Sequence, residues 1–187
     1  MRQVGYLVLI VGLIGLATAT ASISMVAGAA GFLGAGLALL MLAIAVADHR
    51  HLIIPNELSA AALALALINA AVGESTSTIE SVATAAVRGT VTMLFFLAIR
   101  TIYGWLRQRE GIGLGDVKLA FVAGAWLDWI MIPVAIEIAA LAALTGYVLR
   151  HFIVRRPISP TSRLPFGLFF APSIWLTWLL GEVIFGS

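Results

Sequence analysis

The sequence contains no cysteine. That single absence excludes disulfides, thiolate zinc sites and a cysteine nucleophile. Charge is scarce too: Asp, Glu, Lys and Arg make up 11% of 187 residues, where a soluble domain carries roughly 25%. Lys118 is the only lysine and the net charge is +2, so there is no basic stripe on a soluble surface for nucleic acid to meet. No internal repeat, low-complexity tract or linker marks a second domain. The three histidines show no HExxH-type spacing, and a metal needs converging ligands. His49, His51 and His151 therefore read as loop residues near lipid headgroups, and no metal or other cofactor is expected.

What fills the chain is apolar sequence: 61% hydrophobic residues and a mean hydropathy of +1.07. Each membrane crossing needs about 20 apolar residues. The expected fold is an all-α polytopic membrane protein, residues 1–187 forming one bundle of six to seven transmembrane helices. Hydropathy predicts spans at about residues 4–22, 27–47, 57–73, 82–105, 117–129, 131–150 and 166–185. The first resembles a secretory signal but reads as a retained span, because its n-region holds one arginine and the rest of the chain is itself membrane-embedded. It precedes the core of the bundle, about residues 27–185. The fifth span is short and begins beside a glycine turn.

Orientation follows from the loops. Arg50, then Arg107 and Arg109, then Arg150, Arg155, Arg156 and Arg163 fall in alternate connections, whereas "GESTSTIES" carries Glu74 and Glu80 and no basic residue. Positive loops stay in the cytoplasm. The amino terminus and the stretches "DHRHLIIPNE" and "REGIGLGD" are then cytoplasmic, on a multi-pass protein of the inner (plasma) membrane. The arginines from 150 to 163 read as anchors to anionic lipid.

Two acids reach that face, Asp48 ending the second span and Asp116 beginning the fifth, 68 positions apart. Two close carboxylates resist ionising together and share one proton. The ionised member can draw a proton from water while the neutral one polarises a carbonyl, which is peptide hydrolysis without a covalent intermediate. Gly111, Gly113 and Gly115 let backbones approach closely and adopt turns closed to other residues. The plain alternative is a glycine loop whose aspartate caps a helix; the matching acid on the same face argues for more.

"GLGDVKL" at 113–119 resembles the GxGD signature of the type IV prepilin peptidases. "DHRHLIIPNEL" at 48–58 is similar to that family's other acid motif, and "RLPFGLFFAPS" at 163–173 resembles its Pro-Phe-Gly segment before the last helix. The resemblance implies an aspartic endopeptidase that removes a short basic leader from prepilins at the cytoplasmic membrane face. Asp48 and Asp116 match its catalytic aspartates. Gly113, Gly115, Lys118, the pair Pro55-Asn56 and the segment Pro165-Phe166-Gly167 match positions expected to place the strand being cut. The long bifunctional members add a tetracysteine zinc domain used with N-methylation, which this sequence lacks. It therefore looks like the short, peptidase-only branch serving Flp-type tight-adherence pili. Its implied partners are a Flp-type prepilin, membrane lipid and the pilus assembly and secretion machinery. Leu168 stands where the long members usually have proline. Two other readings are an archaeal-type preflagellin peptidase with the same acids and a small proton-coupled transporter, for which mid-membrane acids would be expected.

Among the remaining polar residues, Trp126 and Trp129 bracket Asp128 and read as an interfacial belt around a solvated acid. Arg88 and Glu137 each lie inside a span at similar depth and are expected to pair.

Overall fold

The computed structural model describes residues 2–73, 77–108, 111–154 and 165–185. Glu74, Arg109, Arg155, Arg156 and Arg163 lie outside the described residues, as do the side chains of Arg2, Arg150 and His151. Seven helices run in order: α1 (Arg2–Met25), α2 (Gly28–His51), α3 (Asn56–Val72), α4 (Thr78–Arg107), α5 (Leu114–Trp126), α6 (Met131–Val154) and α7 (Gly167–Phe185). The spans α1, α2, α4, α6 and α7 are long and apolar enough to cross a membrane, and the protein is a multi-pass membrane protein. With 17 residues α3 is shorter, and α5 has 13.

Local chemistry sets the boundaries. The α1–α2 turn places Gly28 at φ +72°, a conformation that favours glycine. Leu52, in the left-handed region, ends α2 and returns its N–H to the Asp48 carbonyl at 2.9 Å. Pro55, with φ −61°, is the residue before α3, and its carbonyl accepts from the Ser59 hydroxyl at 3.2 Å. The Ser77 hydroxyl caps α4 by accepting the Glu80 N–H at 3.4 Å.

The fifth element differs from the span expected at 117–129. It starts three residues earlier, in the glycine turn, because Asp116 caps its first turn, and it stops at Trp126. At about 1.5 Å per residue it is only about 20 Å long. It is also the centre of the molecule, packing on α4, α3 and α7, while α2 packs on α1, α7 and α3. Leu37, Met41 and Ile44 of α2, Leu119 and Val122 of α5, and Phe170 and Ile174 of α7 form the buried core. Glycine allows α4 and α5 to approach closely. A Cβ on Gly124 would sit 2.6 Å from the Arg88 carbonyl, and one on Gly89 would sit 2.8 Å from that of Phe121. Close approach through small residues is the usual means of packing helices in lipid.

Two expectations need correction. Arg88 forms an ion pair with Asp128, not Glu137; α4 packs on α5, α6 packs mainly on α7, and Glu137 is exposed. Trp126 is no interfacial belt residue: it is buried, with its ring edge-on to Trp178 at 6.1 Å. Trp129 is exposed.

Candidate active site

The end of α2 and the starts of α3, α5 and α7 meet at one end of the bundle, and both acids are there. Asp48 lies one turn before the end of α2, with its side chain buried. Its Oδ2 accepts the Leu168 N–H at 2.9 Å, a bond spanning 120 positions. A Cβ on Gly167 would come within 2.9 Å of that oxygen and of Ile54 Cδ1, so the acid rests against bare backbone at the start of α7.

Asp116 is the third residue of α5 and is buried. Its Oδ2 accepts the N–H of Gly113, the capping residue, at 3.3 Å. Asp116 thus does cap a helix, and the same bond fixes its carboxyl beside the other acid. Burial first, and then the nearby Asp48 charge, push the Asp116 carboxyl up to about 6, against the lowering effect of the Gly113 N–H. The two carboxylates are therefore close enough for the charge of one to oppose ionisation of the other.

The glycines act differently from the expectation of turns closed to other residues. Gly113 is extended, at φ −69° and ψ 151°, and Gly28 is the only glycine with positive φ among the described residues. What they provide is space. A Cβ on Gly111 would lie 2.5 Å from the Tyr103 ring, and one on Gly115 would lie 3.0 Å from Ile54 Cβ. Ile54 is thereby wedged between Gly115 and Gly167, and it links the two acid-bearing segments.

The other expected site residues gather at the same end. Lys118 donates to Asn56 Oδ1 at 2.6 Å, tying α5 to the start of α3 at an exposed rim beside Pro55. Pro165 and Phe166 are half-buried. The Phe166 ring stacks on Phe170 at 5.4 Å, and Phe170 stacks on Phe96 of α4 at 5.4 Å. This aromatic column fixes where α7 begins, and with it the Leu168 N–H. His49 and His51 are exposed at the end of α2.

Several contributors were not singled out from the sequence: Ile54, Tyr103 and Arg100, whose guanidinium donates to the Ile112 carbonyl in the glycine turn. Arg100 carried a signal, a charge inside the span at 82–105, of the kind that marks function in a membrane helix. Ile54 carried none, because an apolar residue among apolar residues is silent until it is placed.

Fold and site define a multi-pass membrane protein with paired aspartates at one end of a helical bundle. The chain belongs to the type IV leader peptidase family, whose model matches residues 35–148, a stretch holding both acids. It is similar to the prepilin leader peptidase/N-methyltransferase of Stutzerimonas stutzeri, with 32% identity over 145 residues, covering 75% of this chain and 46% of that protein. The protein of the same name from Pseudomonas putida is 37% identical over 98 residues, covering 49% of this chain and 32% of its own length. Leader peptidase HopD of Escherichia coli is 40% identical over 76 residues, covering 41% of this chain and 48% of that protein. The chain spans about a third to a half of the length of these relatives. No solved structure matches it.

Proposed function

We propose that this chain is a membrane-embedded aspartic endopeptidase that removes the short basic leader from prepilin-like substrates at the cytoplasmic membrane face. The observation that carries the reading is the convergence of two buried aspartates, each held through Oδ2 by a backbone N–H. These anchors fix the orientation of each carboxyl for work on water and substrate. With one proton between them, the ionised carboxylate takes a proton from water as the oxygen attacks the scissile carbonyl. The neutral acid donates its hydrogen to the carbonyl oxygen, and the tetrahedral species then collapses with protonation of the departing amine. Placement of both acids at one end of the bundle favours this over a proton relay through mid-membrane.

Lys118, Asn56 and Pro55 form the rim over which an extended leader would enter, and the Pro165-Phe166-Gly167 segment forms the opposite wall. Gly115 lets Ile54 close against the floor beside Asp116, and Gly113 adds no side chain to it. The whole chain acts as one domain in the inner membrane, α1 standing ahead of the catalytic core. Absence of cysteine supports the peptidase-only, Flp-type reading, in which the product passes to the pilus assembly machinery.

The test is co-expression with a Flp-type prepilin, read by gel shift and by the mass of the released pilin. Wild-type protein should yield a pilin shortened by its leader, with an unmodified amino terminus. Asp48→Asn and Asp116→Asn should each reduce processing by about 100- to 10,000-fold, as losing one half of an acid–base pair does. Substantial processing by either variant rejects the dyad, and a methylated product rejects the peptidase-only branch.

A further inference from the structure

Arg100 and Asp116 act on opposite ends of one peptide unit. The Arg100 guanidinium donates to the Ile112 carbonyl, and the N–H of that same peptide, carried by Gly113, is donated to Asp116 Oδ2 at 3.3 Å. We propose that Arg100 is a positioning residue for Asp116, orienting and polarising the Ile112–Gly113 peptide so that its N–H holds the carboxylate. This deepens the peptidase reading, on which its catalytic meaning rests.

A cation on a carbonyl oxygen draws electron density through the amide and makes its N–H a stronger donor, since hydrogen bonds in a chain polarise one another. A guanidinium is planar and always charged, so it fixes the plane of the peptide as well as its polarity. Gly111 packs on the Tyr103 ring, one helical turn beyond Arg100 on α4, and Ile112 packs on the core, so the guanidinium acts on a turn already docked to the bundle. Without Arg100, the Gly113 N–H would be a weaker and less directed donor.

The consequence is a shift in ionisation. A donor to the charged form favours that form, so loss of Arg100 should make Asp116 harder to ionise. Among the described residues, other groups around Asp116 do not duplicate the effect. Asp48 on α2 opposes ionisation. Lys118 on α5 is committed to Asn56. Glu57 at the start of α3, Arg107 at the end of α4, and His49, Arg50 and His51 at the end of α2 are exposed. The one acid of α7, Glu182, is near its far end.

The experiment is infrared titration of the full-length protein in lipid vesicles, with ¹³C-labelled aspartate and Asp48→Asn as background so that Asp116 titrates without its partner. Subtraction of the Asp48→Asn/Asp116→Asn spectrum isolates the Asp116 carboxyl band. Adding Arg100→Gln should raise its midpoint by roughly half a unit to one unit. Arg100→Lys, which keeps the charge but loses the fork, should move it less and in the same direction. An unchanged midpoint in whichever of these variants folds overturns the proposal. Because no substrate is needed, failure of the wild type to cut a prepilin would count against the peptidase reading alone. A structural loss elsewhere would lower stability but leave the midpoint in place.

Discussion

Asp48 depends on a backbone group that one substitution can remove. The Leu168 N–H that binds its Oδ2 belongs to the second residue of α7, a position in the first helical turn where proline is well tolerated. Leu168→Pro deletes that donor and sets the ring Cδ where the hydrogen stood, against Asp48 Oδ2. A lost hydrogen bond to a charged group is worth about 1.5 kcal/mol, so kcat/KM should fall about tenfold. Activity equal to wild type would show that Asp48 needs no such anchor. Asp116 is an acid whose environment disfavours its charge. Its folded-state value of about 6 lies above the ordinary carboxyl value of 3.8. The folded protein binds the extra proton between these values, so stability is highest below about 4 and declines as pH rises to about 6. The decline is on the order of 3 kcal/mol. Asp116→Asn should then be more stable than wild type at pH 8 and show little difference at pH 4, in thermal unfolding in detergent. Equal stability of the two proteins at pH 8 would contradict the burial cost assigned to this carboxyl.

Single helices show why hydropathy locates elements better than it pairs them. The long apolar runs that became α1, α2, α4, α6 and α7 are legible because a bilayer demands length and apolarity from each span independently. Pairing has no such local rule. Arg88 and Glu137 lie at similar depth, but equal depth places two residues in one plane without making them neighbours. The glycines at 89 and 124 decide the matter by bringing α4 onto α5, which puts Arg88 beside Asp128. A double-mutant cycle separates the two pairings. Arg88→Leu with Asp128→Leu should show a coupling of about 1 kcal/mol, modest because Asp128 is 81% exposed. Arg88→Leu with Glu137→Leu should be additive within about 0.5 kcal/mol. Coupling in the second cycle and not the first would overturn the helix arrangement. The short α5 was legible as a segment starting near the glycine turn, but not as the buried axis of the bundle, since alanine- and valine-rich sequence looks alike whether it faces lipid or protein.

Across the whole molecule, the placement of both acids at one end followed from counting spans between them, because alternate crossings return the chain to the same side. Their anchors could not be read in this way. The Leu168 and Gly113 N–H groups are backbone, and backbone carries no sequence signature. The distance along the chain between Asp48 and its anchor has a consequence for biosynthesis. The acid leaves the ribosome 120 residues before the amide that holds it, an interval of about 6–24 s at ordinary rates of elongation. Until α7 docks, the nascent protein has its first acid in the membrane without the bond that orients it. Alignment of Asp48 thus waits for α7, the last of the described helices, and a chain arrested before it lacks an aligned pair of acids.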